Sequence, residues 1–349
     1  MSNVIQLAPS RFATGRGPVA LSAMVATQRR ARGDVYWLKE NAEWLGILAS
    51  TAAPGRSASL GIYEDFYRSI SEQIAFFPQY YRFFLSLCLD IEDLGMPGNQ
   101  GLALCQIVAR QGLAEAELSD LQRAEAARLL ARRGVGEPDP ALDQRLRDFM
   151  ARACTFAVPN KKAAYELTHI VFYLAEYGAR NPRLCKAALT SLRYAGILAY
   201  LDQNADLLAE ICIAMRFAGA VPPAMWETLV LSHYRGCQFV PAPKGAQHDG
   251  YHGFLVTGWL AQISGQAAFV ESVPQGPVAV QAPLQPDSAL RAMSEVMFDL
   301  GPGRSRDWSR MRGTVLGEVS PSVRETITSA EQETGFEPFF EAFARAATS

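Results

Sequence analysis

From Asp34 onward apolar residues recur at intervals of three and four, the period of an amphipathic helix, and the breaks between runs carry residues that start and stop helices. Asp34 is placed to cap a helix bearing Val35, Leu38, Ala42, Leu45 and Leu48, and Pro54 with Gly55 closes that region. Leu60 to Phe77 forms a second block. After Pro78, the residues Tyr81, Phe84, Leu85, Cys88 and Leu89 make a core-facing stripe. Further helices are predicted over 98–111, 115–133 and 139–155.

The middle third is the most regular. Asn160 caps a helix to Tyr177 that Gly178 stops, Pro182 opens another to Tyr200, and 203–218 and 223–234 follow. Short connections between them predict antiparallel helical hairpins, arranged either as an α/α toroid or as an irregular bundle. From Gly236 to Gly250 the chain reads as a long polar loop, and Tyr251 to Ile263 as one more apolar helix. The fold class is therefore all-α. The predicted organisation is a flexible basic tail over 1–33, a main helical domain over 34–267, a Pro-rich linker over 268–287 and a small helical region over 288–349.

Composition narrows the function classes. About half of the 349 residues are apolar, enough for a real core, and the formal net charge of −2 gives no field to gather nucleic acid. No run approaches the roughly 20 apolar residues of a membrane span. Arg11, Arg16, Arg29, Arg30 and Arg32 precede the first acid, Asp34, without the apolar stretch of a secretory signal. The six cysteines, at 88, 105, 154, 185, 212 and 237, form no CxxC or Cys/His knuckle and read as buried free thiols of a reducing, cytoplasmic protein.

Four histidines in the whole chain make their placement informative. Glu166 and His169 stand three apart on one helix face beside Tyr173 and Tyr177, half of a di-metal carboxylate site, but no other histidine has a Glu three residues before it. His169 and His252 with one carboxylate, Asp206, would instead make a mononuclear set suited to Fe(II) or Zn, a single divalent cation. His248-Asp249-Gly250-Tyr251-His252 lies where the long loop enters a helix, with Asp249 placed to cap it and Tyr251 to line a pocket with Tyr173. Asp202, Asp206 and Glu210, spaced by four, share one helix face, which fits a magnesium-diphosphate site or a solvated face alike. Cys237 near His233 could be drawn as a thiol and its base. No P-loop, GxGxxG, GxSxG or HExxH motif is present.

Two resemblances follow from these segments. The Asp202–Glu210 acids and Phe83 to Asp93 resemble the two acidic patches of class I terpene synthases, although the adjacent Asp-Asp pair is missing and Asp206 stands where a hydroxyl residue is expected. Asp90-Ile91-Glu92-Asp93 has the spacing of the class II cyclase acid motif with Glu at its centre, and reads more simply as a helix end before Gly95. Glu166-Leu167-Thr168-His169 running into Phe172-Tyr173-Leu174 and Tyr177-Gly178, with Tyr251-His252 downstream, is similar to an all-helical bacterial family of unknown function. That resemblance implies a helical fold and no activity.

Two function classes stay open. One is an enzyme acting on a small molecule, with a pocket between the 160–178 and 249–264 helices; there His169 and His252 bind a metal or act as acid and base, and Glu166 or Asp249 orients them. The other is a non-enzymatic scaffold or adaptor that binds through its terminal extensions.

Overall fold

The computed structural model describes residues 15–51, 60–243, 245 and 249–346. The fold is all-α, with sixteen α-helices and two short antiparallel strand pairs among the described residues. β1 (Gly15–Arg16) leads into α1 (Gly17–Ala23), which continues as a π-helical segment over Met24–Arg29. α2 (Val35–Ser50) starts where Asp34 accepts from the Tyr36 N–H, as its position before the apolar run predicts. α3 (Glu64–Phe76), α4 (Tyr81–Asp93), α5 (Gln100–Arg110), α6 (Asp120–Ala131) and α7 (Pro140–Met150) follow.

α8 (Lys161–Leu174) begins at the Asn160 cap, whose side chain accepts from the Ala163 N–H. α9 (Lys186–Leu201) starts four residues later than Pro182 suggests, because Arg183 adopts a positive φ. α10 (Ala205–Phe217) is the hub. All but three of its thirteen residues are buried, and it packs against α8, α9, α11 (Ala224–Gly236) and α12, which spans Tyr251–Ile263. A helix at the hub makes this an irregular bundle. No described helix is long and apolar enough to cross a membrane.

Three boundaries differ from the sequence expectation. Residues 15–33 are not a free tail, because Leu21, Met24, Val25 and Ala26 are buried and the Trp37 indole donates to the Ala26 carbonyl. Residues 1–14 lie outside the described part. The 236–250 stretch is not wholly loop, since β2 (Gln238–Pro241) pairs antiparallel with β4 (Val278–Gln281). The supposed linker is a packed strap. It holds β3 (Ser272–Val273), paired with β1, and it buries Phe269, Val273, Val278 and Val280. Its prolines flank strands, where a missing N–H costs no ladder bond. α13 (Ala289–Asp299), α15 (Pro321–Ala330) and α16 (Phe336–Phe343) pack on α9, with α14 (Trp308–Glu318) against α13 and α16, so the C-terminal helices join the same core. Of the cysteines, Cys88, Cys105 and Cys212 are buried as expected, whereas Cys154 and Cys185 are exposed.

α12 is seated by a close approach. A Cβ on Gly258 would stand 2.6 Å from Phe269 Cε1 and 2.8 Å from Tyr234 Cε2. Neither ring can yield easily, because Tyr234 accepts from the Phe269 N–H at 2.7 Å and donates to Glu271. Gly258→Ala is expected to destabilise the protein by about 1–3 kcal/mol through overpacking, read as a lower urea midpoint.

Candidate functional site

α8, α10 and α12 meet where their sequences place polar residues on otherwise apolar faces. Glu210 lies among Leu207, Leu208, Ile211 and Ile213 and is 2% exposed. A buried carboxyl needs partners. Thr168 Oγ1 donates to its Oε2 at 2.5 Å, His169 Nδ1 stands 3.9 Å from Oε2, and His252 Nε2 stands 3.9 Å from Oε1. The two histidines are therefore brought together through one carboxyl group. One turn earlier on α10, Asp206 accepts from the Tyr165 hydroxyl at 2.6 Å and lies 3.4 Å from His252 Nε2. Across from α2, Glu43 Oε2 lies 3.2 Å from His252 Nδ1.

Charge follows from this geometry. Burial alone would lower the His252 imidazolium, but the Glu43 hydrogen bond and the charges of Glu43, Asp206 and Glu210 overcome it and raise its pKa to about 9. Burial pushes the Glu210 carboxyl above its ordinary value, against the opposing pull of His169, His252 and the Thr168 hydrogen bond. His252 is thus held as its imidazolium. His169 Nδ1 lies 2.7 Å from the Tyr165 carbonyl. A carbonyl only accepts, so Nδ1 carries the hydrogen and Nε2 has the free lone pair when the ring is neutral.

His169, His252, Glu43 and Glu210 line a pocket of about 320 Å³ that reaches α4 and α6. Its apolar wall is aromatic. Phe172 stands 5.8 Å from His169 and 5.2 Å from Trp259, and Tyr177 stacks on Trp259 at 5.9 Å between ring centres. Arg128, in the last turn of α6, and Arg132, the residue that caps its end, complete the lining with Asp90, Asp93 and Glu176.

The other expected site residues lie elsewhere. Among the described residues Glu166 pairs only with Lys162, at 4.0 Å, and it does not reach the pocket. Asp249 binds the buried Arg29 at 2.8 Å and accepts from the Val280 N–H at 2.8 Å; Gly250 is the cap residue of α12. Asp249 is therefore a structural anchor, not a partner of His252. Tyr251 packs under Arg29, 5.3 Å from its guanidinium, and Tyr173 backs the pocket beside His169 and Arg128 without lining it. His248 lies outside the described residues. Asp202 turns away from Asp206 to bind Lys161 and Ser288. Asp90 and Asp93 are held by Arg132, and Glu92 by Arg133, so the terpene-synthase-like acids carry their own counter-ions. Cys237 Sγ faces the His233 carbonyl, not its ring, and burial pushes the thiol up to about 11.

Among the described residues, no group of three or more His, Cys, Asp or Glu side chains is arranged to hold a metal ion. Glu43, Arg128 and Arg132 were not legible as site residues. Glu43 is one polar position among many on α2, and Arg128 and Arg132 are marked only by their spacing of four in a polar helix. Glu210 did carry a signal, as the single acid within the apolar run Leu207 to Met215.

No curated protein and no solved structure matches the chain. A family model described as a domain of unknown function, DUF6902, matches residues 1–346, in keeping with the helical family that the Glu166–Gly178 segment resembles. The chain belongs to that family.

Proposed function

We propose that this protein is an acid/base enzyme acting on a small molecule held in the pocket between α2, α4, α6, α8, α10 and α12. The observation that carries the proposal is the buried Glu210 carboxyl set between two imidazoles beside a cavity of about 320 Å³, a size suited to a small ligand. In this reading His169 takes a proton from the substrate at Nε2. Glu210, 3.9 Å from Nδ1, stabilises the imidazolium that forms. His252 is a positioning residue, a fixed cation that keeps Glu210 and Asp206 in place. A divalent cation is the less favoured use of the same residues. His252 offers both ring nitrogens to carboxylates, so no lone pair is left for a metal.

The test is exchange and turnover in heavy water. Pools of small metabolites incubated with the protein should show deuterium incorporation or conversion that His169→Gln and Glu210→Gln both lose. Compounds that bind yet are neither exchanged nor converted by the wild type would refute an enzymatic role. Phe76 and Phe77, exposed edge to face at the end of α3, favour a second reading as an adaptor. A partner that co-purifies with the wild type and is lost with Phe76→Ser would support it. The extensions that first suggested an adaptor are packed into the core where they are described.

A further inference from the structure

The aromatic end of the pocket contains two hydrogen-bond donors without an acceptor among the described residues. Trp259 is 5% exposed, lines the cavity, and its Nε1–H has no acceptor among the described residues. The same holds for Arg128 Nε, although Arg128 Nη1 binds Glu176 at 3.3 Å. Buried donors without partners are rare, because each forfeits its hydration. Both donors flank one ring, since the Arg128 guanidinium lies 4.6 Å above the Tyr177 centre and Trp259 stacks on Tyr177 at 5.9 Å.

The unused edge of Arg128 is informative. Glu176 takes Nη1, and among the described residues Nε has no partner and no hydrogen bond is made by Nη2. Together these two form the side edge of the guanidinium that receives a carboxylate through two parallel bonds. The acids that line this part of the cavity are already committed, Asp90 and Asp93 to Arg132 and Glu176 to Arg128 and Arg180. What the pocket offers a newcomer here is therefore donors, next to the flat faces of Phe172, Tyr177 and Trp259.

We propose that the pocket binds a small planar carboxylic acid, its carboxylate on the Arg128 Nε/Nη2 edge and its unsaturated body against the aromatic wall of Phe172, Tyr177 and Trp259 leading to His169. This inference rests on the acid/base reading of the same pocket and names its substrate class. The carboxylate is the anchor, and the far end of the molecule is what meets His169.

Benzoate is the probe, with benzyl alcohol as its neutral counterpart, and binding is followed by the indole N–H resonances of the intact protein. The expected result is saturable benzoate binding that moves the Trp259 indole N–H, assigned by its absence in Trp259→Phe. Benzyl alcohol should bind at least about tenfold more weakly. Arg128→Lys, which keeps the charge but not the fork, should weaken benzoate about tenfold or more. His169→Gln should leave benzoate affinity within about threefold, so ligand class and catalysis are read separately. If benzoate binds but heavy water shows no exchange with any acid, the catalytic reading fails while this one stands. If wild-type protein does not bind benzoate, or binds it no better than benzyl alcohol or than the Arg128→Lys variant does, the carboxylate proposal is overturned whatever the state of the histidines.

Discussion

Arg29→Ala is expected to destabilise the fold by about 3–5 kcal/mol, the cost of leaving buried charges without their partner. Arg29 ends the π-helical segment, its side chain wholly buried. Its Nε and Nη2 bind Glu40 at 2.7 and 3.1 Å, Nη1 and Nη2 bind Asp249 at 2.8 and 2.9 Å, and Nη1 also donates to the Val278 carbonyl at 3.2 Å. One side chain thus ties the N-terminal segment to α2, to Asp249 two residues before α12, and to β4. Without it, among the described residues, Asp249 has no counter-ion, and Glu40, which is fully buried, keeps only Arg30, at 2.9 Å. Arg29→Lys is expected to recover only part of the loss, because one ammonium cannot serve two forks. Urea denaturation checks both. Since Asp249 sits next to the first turn of α12, the same substitution should loosen His252 from Glu43 and Asp206.

The second large effect is a pH dependence. The folded protein holds the His252 proton with a pKa of about 9, against an ordinary 6.5. Stabilisation from a raised pKa is complete below the ordinary value and disappears as pH climbs through the raised one. His252→Gln should therefore be about 2 kcal/mol less stable than wild type at pH 6, a value set by the size of the shift and reduced for the partial exposure of the ring. The gap should close between about pH 6.5 and 9. Glu210 acts in the same direction, because its raised pKa also means that folding takes up a proton, and stability then falls as pH rises above the usual carboxylate range. Denaturation at pH 6, 7.5 and 9 checks the closing gap; a constant difference would contradict the charged cluster.

Much of the fold was legible because helices announce themselves locally. Asp34 and Asn160 cap as their positions before apolar runs suggest, and the end of α4 at Asp93 follows from the Leu94-Gly95 turn. The N-terminal segment was misread because its arginines were counted as surface charge. The partners of Arg29 lie 11 and 220 residues away, a pairing no local pattern announces. The strap from 268 to 287 was misread because its prolines outweighed the alternation of Val278 and Val280, which is a strand signal. At the site, His169 and His252 were visible as scarce residues. Their meeting through Glu210 depends on how α8 and α12 pack on α10, which periodicity does not fix. Asp249 and Glu166 were drawn in by proximity in sequence, and the structure sends both elsewhere.

The account depends on His252 being a cation buried among Glu43, Asp206 and Glu210. The imidazole nitrogens can be followed by NMR from pH 5 to 10, with His252 assigned by its loss in His252→Gln. A midpoint near 9 that drops in Asp206→Asn is the predicted result. A midpoint near the ordinary 6.5, unmoved by that substitution, would show that the carboxylates do not hold this proton and would remove the basis for the acid/base site.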